Sequence, residues 1–207
     1  MPLNTYAQLQ TSIANWLNRE DLTAQIPDFI TLAEARFNRE LRVNAMVQRD
    51  TTIATTAYVE LPDDWLQHIS VMITDPTNSY SALTYIPVEE YYDLRNDGMT
   101  GQTRYYTIID DNIALLPEPS GNITLEIVYY GKVPALSDSN TSNWLLARSP
   151  DLYLHGALIQ AEAYLQNDER VPLWVAAVDK TIADMTLESE RAKRPSGALA
   201  ARKRTFG

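Results

Sequence analysis

Residues 149–194, SPDLYLHGALIQAEAYLQNDERVPLWVAAVDKTIADMTLESERAKR, decide how the rest of the chain is read. Ser149-Pro150-Asp151 is a helix start: a hydroxyl at the N-cap, a proline at the first helical position, and an acid in the positive first turn. Leu154, Ala157, Leu158, Ala161 and Leu165 then fall on one stripe. Tyr153, Ile159, Ala163 and Tyr164 carry apolar surface on the other sides. A helix that is apolar nearly all round belongs at the centre of a core. Asn167-Asp168-Glu169 breaks it. A second helix follows, with Val171, Trp174, Val178, Ile182 and Met185 spaced by three or four residues. Pro172 is tolerated only in its first turn, where the missing N–H costs little. The pattern fades after Leu187, and Pro195-Ser196-Gly197 ends any helix. Such a helical hairpin needs a covering partner.

Working outward, the N-terminal segment supplies helices of its own. Thr5 to Asn18 reads as a helix whose Thr5 and Gln8 form a capping box, with Leu9, Ile13, Trp16 and Leu17 as the apolar face. Pro27 to Arg42 reads as a second helix with the stripe Phe29, Ile30, Ala33, Phe37 and Leu41. Its polar side, from Glu34 and Arg36 to Arg42, is expected to be exposed or paired.

From Arg49 the pattern becomes β-like, with Thr51, Thr52, Ile53, Thr55, Thr56, Tyr58 and Val59 β-branched or aromatic. Leu61 to Trp65 reads as a turn into a strand from His68 to Ile73. Residues 75–79 have the composition of a hairpin turn, and Leu83 to Ile86 reads as the returning strand. Pro87 to Arg95 is a short helix stopped by Asn96-Asp97-Gly98. Further strands are expected at Arg104 to Ile109, Ile113 to Leu116 and Ile123 to Tyr130. Lys132 to Asn143 is a polar connection with Val133 and Leu136 as anchors. The expected fold is therefore α+β: about four bundled helices, two at each end, around an inserted antiparallel β domain. The expected boundaries are residues 1–48 and 133–194 for the helices, 49–132 for the β domain, and 195–207 for a basic C-terminal arm.

With 207 residues and 45% apolar content, the chain is large enough for a substantial core. No run of apolar residues is long enough for a membrane span, and the first residues lack the charged-then-apolar order of a secretory signal. The chain has no cysteine, which removes disulfides, thiolate chemistry and cysteine-ligated zinc. The formal charge of −10 is unevenly spread. Residues 191–207 hold six basic side chains and no acid, which leaves −16 on residues 1–190. So acidic a body repels phosphates and makes a poor general nucleic-acid binder. The basic end reads either as a solvated terminus or as an arm that docks on a partner.

Catalytic patterns are sparse. The two histidines, His68 in a strand and His155 in the central helix, sit in neither a nucleophile-elbow nor a metal-ligand pattern. Gly98 to Thr103 has two glycines but lacks the lysine and hydroxyl of a phosphate loop. The adjacent acids Asp63/Asp64, Glu89/Glu90 and Asp110/Asp111 fall where turns and helix starts account for them. Asp138 and Asn140 lack the spaced glutamate of a calcium loop. No catalytic, cofactor or metal residue is expected. Tyr105-Tyr106 and Tyr129-Tyr130 place one ring on each side of a strand, to line sheet faces or to meet a partner.

Several motifs coincide in order and spacing with one known family. They are Trp16 to Leu22 followed by Ile26-Pro27, Ala33 to Arg42, Leu61-Pro62-Asp63-Asp64-Trp65-Leu66, and Arg104-Tyr105-Tyr106. The run Val133 to Asp138, then Asn143 to Leu146, then Pro150 to Leu158, completes them. On these residues the chain resembles the head–tail adaptor proteins of tailed bacteriophages, the connector subunits beneath the portal, also called tail tubular protein A. The resemblance implies a structural virion protein at the head–tail junction, or neck, assembled in the host cytoplasm. It implies a ring of twelve copies that binds the portal, retains the packaged genome until ejection, and docks a tail nozzle or tail-tube protein. DNA would pass through without specific binding, and no membrane takes part. The portal-binding candidates, carried by position and charge, are Arg191, Lys193, Arg194, Arg202, Lys203, Arg204 and Phe206. The competing expectation is a virion-associated peptidoglycan hydrolase using paired carboxylates, since fold alone does not exclude it.

Overall fold

The structure, a computed structural model, describes residues 3–19, 21–74, 80–166 and 169–193. Among them are six α-helices and two four-stranded sheets, an α+β arrangement. The chain divides into two compact units, Met1–Ala45 with Val133–Gly207, and Met46–Lys132.

In the helical unit, α1 (Tyr6–Leu17) starts at Thr5, whose side chain accepts from the Gln8 backbone N–H. The Gln8 Oε1 reaches back to the N–H of Asn4 at 3.0 Å rather than to that of Thr5, so the expected capping box is offset by one residue. α1 ends at Asn18, whose positive φ of 52° suits the left-handed cap position. α2 (Ile26–Glu40) has its proline in the first turn and buries Ile26, Phe29, Ile30, Ala33 and Phe37. After the β unit, α4 (Trp144–Arg148) is capped by Asn143, which accepts from the Leu146 N–H. The sequence pattern assigns no helix to these residues. α5 (Pro150–Tyr164) and α6 (Val171–Lys193) follow. Ser149 precedes α5, but its hydroxyl makes no capping bond and points instead to Met185 Sδ at 3.5 Å. The break at Asn167 and Asp168 lies outside the described residues.

α5 packs against α1, α2, α4 and α6. Leu152, Tyr153, Leu154, Ala157, Leu158 and Ala161 are all buried, so the all-round apolar pattern is used on several sides. Gly156 sets how close α2 approaches: a Cβ there would lie 2.7 Å from Phe37 Cζ and 3.1 Å from Ala33 Cβ.

Glu34 was expected on the polar face of α2, exposed or paired; it is 5% exposed and buried among polar partners. Its Oε1 accepts from the Leu136 backbone N–H at 2.9 Å and from the Tyr153 hydroxyl at 3.0 Å. The Tyr153 hydroxyl in turn accepts from Asn143 Nδ2, which also donates to the Pro134 carbonyl. One turn further along α2, Asn38 accepts from the Val133 N–H at 2.8 Å. The returning segment 133–143 is thus held to α2 and α5 by side chains, because it has no strand or helix of its own to satisfy its backbone. Burial raises the Glu34 pKa above its usual carboxylate range, against the two hydrogen bonds, which favour the ion. Its own burial, with the Glu34 carboxylate beside it, likewise leaves the Tyr153 phenol far harder to ionise than in water.

The β unit is built from two sheets. In the first, β1 (Val47–Ala54), β8 (Ile123–Gly131), β3 (Trp65–Thr74) and β4 (Tyr80–Ala82) lie in that order, all antiparallel. In the second the order is β2 (Tyr58–Glu60), β7 (Asn112–Leu116), β6 (Tyr105–Ile109) and β5 (Thr84–Tyr85). Of the returning strand expected at Leu83 to Ile86 only Thr84–Tyr85 is strand, and the segment that returns along β3 lies just before that run. Tyr80–Ala82 pairs with β3, and Thr84–Tyr85 joins the other sheet, pairing with β6 in parallel. The parallel pair corrects the purely antiparallel expectation, and its cause is α3 (Val88–Asn96), the crossover helix that a parallel pair requires. α3 also explains why Ile113, Ala114, Leu115 and Leu116 of β7 are all buried. Ile113 and Leu115 face Val71, Leu125, Ile127 and Tyr129, while Ala114 and Leu116 pack with Ile86 and Tyr91.

Two outcomes follow. Gly156→Val overpacks the Phe37 contact and lowers stability by about 1–3 kcal/mol in denaturant unfolding; an unchanged midpoint would contradict the close approach. For Glu34, a raised folded pKa means that the folded state holds the proton more tightly than the unfolded one. Its contribution to stability is therefore greatest in acid and falls as pH climbs from the ordinary carboxylate value of 4.5 through the raised one. Melting temperatures of wild type and Glu34→Gln, compared from about pH 4 to about pH 8, should diverge in wild type's favour toward acid.

Candidate interaction surfaces

The sequence-derived portal-binding residues divide sharply. Arg191 and Lys193 form the last turn of α6 and are exposed, where cations complement the negative end of a helix. Lys193 Nζ lies 2.7 Å from Glu190 Oε1. Arg194, Arg202, Lys203, Arg204 and Phe206 lie outside the described residues, as does the hairpin turn at 75–79.

Both histidines pack against aromatic rings. His68 on β3 stacks on Tyr85 at 4.8 Å between ring centroids and meets the edge of Tyr106, and burial lowers its pKa. His155 on α5 stacks on Trp174 of α6 at 5.2 Å, with Trp16 of α1 edge-on to both. This aromatic junction holds three helices together. It leaves His155 Nδ1 and Trp174 Nε1 buried without a hydrogen-bond partner. Trp16, placed on the apolar face of its helix by periodicity, is 51% exposed.

The adjacent acids fall at turns and at one helix start. Asp64 Oδ1 accepts from the Tyr129 hydroxyl at 2.8 Å, and its backbone carbonyl accepts from the Lys132 N–H. Burial and the neighbouring Asp64 raise the Tyr129 pKa strongly. The Asp63 carbonyl accepts from Lys132 Nζ at 2.9 Å. Asp110 occupies a turn with φ of 48°, and Glu89 and Glu90 lie in the first turn of α3. Asp63 and Asp111 come together with Glu60, Trp65 and Lys132 around a cleft of about 210 Å³. No group of three or more His, Asp or Glu side chains suited to a metal ion occurs among the described residues. No described helix is long and apolar enough to cross a membrane.

The tyrosine pairs separate as strand and helix geometry requires. Tyr106 and Tyr129 are buried, with Tyr105 and Tyr130 partly exposed. Burial carries the Tyr106 phenol up to about 12. Tyr91 is buried and Tyr92 exposed. Other exposed apolar side chains cover Leu32 on α2 and Leu173 and Leu187 on α6 in the helical unit, and Ile53, Ile69 and Tyr85 in the β unit. A soluble surface tolerates such residues singly, but stripes of them are a feature of surfaces that meet other proteins. The sequence signals for these were present at Leu32, Leu173 and Leu187, each an apolar residue opposite its helix's buried stripe.

Against known proteins, a family model described as SU10 adaptor protein matches residues 4–202. No curated protein matches the chain.

Proposed function

The chain belongs to the SU10 adaptor protein family, a family of phage head–tail adaptors, and on that premise we propose how it serves as a structural component of the neck. The observation that carries the proposal is the match across nearly the whole chain. In this reading residues 1–48 and 133–194 act as a bundle built on α1, α2, α5 and α6 that forms the body of a ring subunit. Residues 49–132 are the inserted β domain, and 195–207 are an arm. Twelve copies close into a ring under the portal, hold the packaged genome until ejection, and present a surface to the tail nozzle or tube.

Charge supports this reading. Residues 46–132 contain four basic and thirteen acidic side chains, a net −9. Residues 194–207 contain four basic side chains and no acid. A ring is closed by heterologous contacts, in which one surface of a subunit meets a different surface of the next. Opposite charge on different parts of one chain orients such contacts and speeds encounter. An acidic wall would also let DNA slide past without being held. The arm, with Arg191 and Lys193 at its root, is the portal-binding element, and the neck of the virion is its site of action.

The protein performs no reaction in this reading. The hydrolase alternative would have to use Asp63 and Asp111, which share the cleft with Glu60; in this reading peptidoglycan zymography should show no clearing. Deleting residues 195–207 should leave thermal unfolding unchanged and weaken attachment to purified portal, with the deficit shrinking as salt rises. Unchanged attachment would remove the arm from the mechanism.

A further inference from the structure

α6 is 23 residues long but buries only Val178, Met185 and Ser189, which lie on one side. On the opposite side Leu173, Ala176, Lys180, Ala183, Leu187 and Glu190 follow one another at alternating spacings of three and four residues, and all are exposed. That spacing keeps them on one face, as the seam between two packed helices requires. Leu173 and Leu187 are 62% and 49% exposed.

α2 has the same two-sided design. Opposite its buried stripe run Asp28, Leu32, Ala35 and Arg39, all exposed, with Leu32 at 51%. The two outer stripes are complementary in size and charge. Laid parallel with Asp28 beside Lys180, Leu32 meets Ala183, Ala35 meets Leu187, and Arg39 reaches Glu190. Each large side chain then faces a small one, and the charges at both ends are opposite. The spans agree: Asp28 to Arg39 covers about 16 Å of helix and Lys180 to Glu190 about 15 Å.

We propose that the outer stripe of α2 in one copy docks on the outer stripe of α6 in the next. Because the two stripes differ, each copy offers one and receives the other, which is the heterologous geometry that propagates around a ring. The pairing rests on the ring reading above and names the surfaces that make it. Apolar contact between Leu32, Leu187 and their alanine partners supplies the adhesion, and the flanking charges set the register.

The test uses full-length chains, and the absence of native cysteine keeps it clean. Leu32→Cys and Ala183→Cys, prepared separately and mixed under mild oxidation, should give a disulfide-linked dimer that neither variant gives alone. A chain carrying both should give a ladder of higher species. Asp28→Lys and Lys180→Asp should each lower the assembled fraction in sedimentation while leaving the melting temperature unchanged, and both in one chain should restore it. Assembly that proceeds without the cross-link and ignores the charge reversals would overturn the helix pairing while leaving the ring intact. A wild-type chain that stays monomeric at every concentration and on purified portal would overturn both.

Discussion

A carboxylate with almost no access to water holds the helical unit together. Glu34 receives the Leu136 N–H and the Tyr153 hydroxyl on one oxygen, at 2.9 and 3.0 Å. Those donors come from the returning segment and from the central helix, so one side chain of α2 joins three separate stretches of sequence. The segment after Lys132 has no ladder of its own, and an unpaired buried N–H costs about 1–3 kcal/mol. Asn38 and Asn143 complete the same task at Val133 and Pro134. This is why a chain that leaves the helices at residue 45 can rejoin them at residue 133 without a strand or helix to carry it.

Much of this arrangement was legible in the chain itself, and what was missed has a common cause. Local signals were reliable: Thr5 caps α1, Pro27 sits in the first turn of α2, and the all-round apolar stretch from Leu152 to Ala161 became the buried centre. The strands at β6, β7 and β8 fell where β-branched and aromatic runs placed them. Long-range demands produced the departures. Glu34 reads as a surface acid in the helical pattern, and only the arrival of Leu136 and Tyr153 makes it a core residue. The return along β3 comes at Tyr80–Ala82, before the run that reads as the strand, and that run instead joins the second sheet in parallel, as its crossover helix allows. Ser149 looks like a cap by position, yet its hydroxyl is drawn to Met185. Of the candidate portal residues, only Arg191 and Lys193 fall among the described residues, and the signals that named the seven were position and charge.

The chemistry of the molecule fits a part that is built to touch other parts. Histidines are stacked against aromatic rings, and buried phenols stay protonated. What its own packing does not use includes exposed acids of residues 46–132 and leucines on the outer faces of α2 and α6. Family membership across residues 4–202 gives that surface a setting at the head–tail junction.

The mass of the species formed when purified portal is titrated with this chain tests the central claim most directly. Adaptor assembly predicts saturation at a fixed whole number of chains per portal subunit, with no partly filled complexes at excess chain. A mixture in which portal and chain keep their separate masses at every ratio would contradict it.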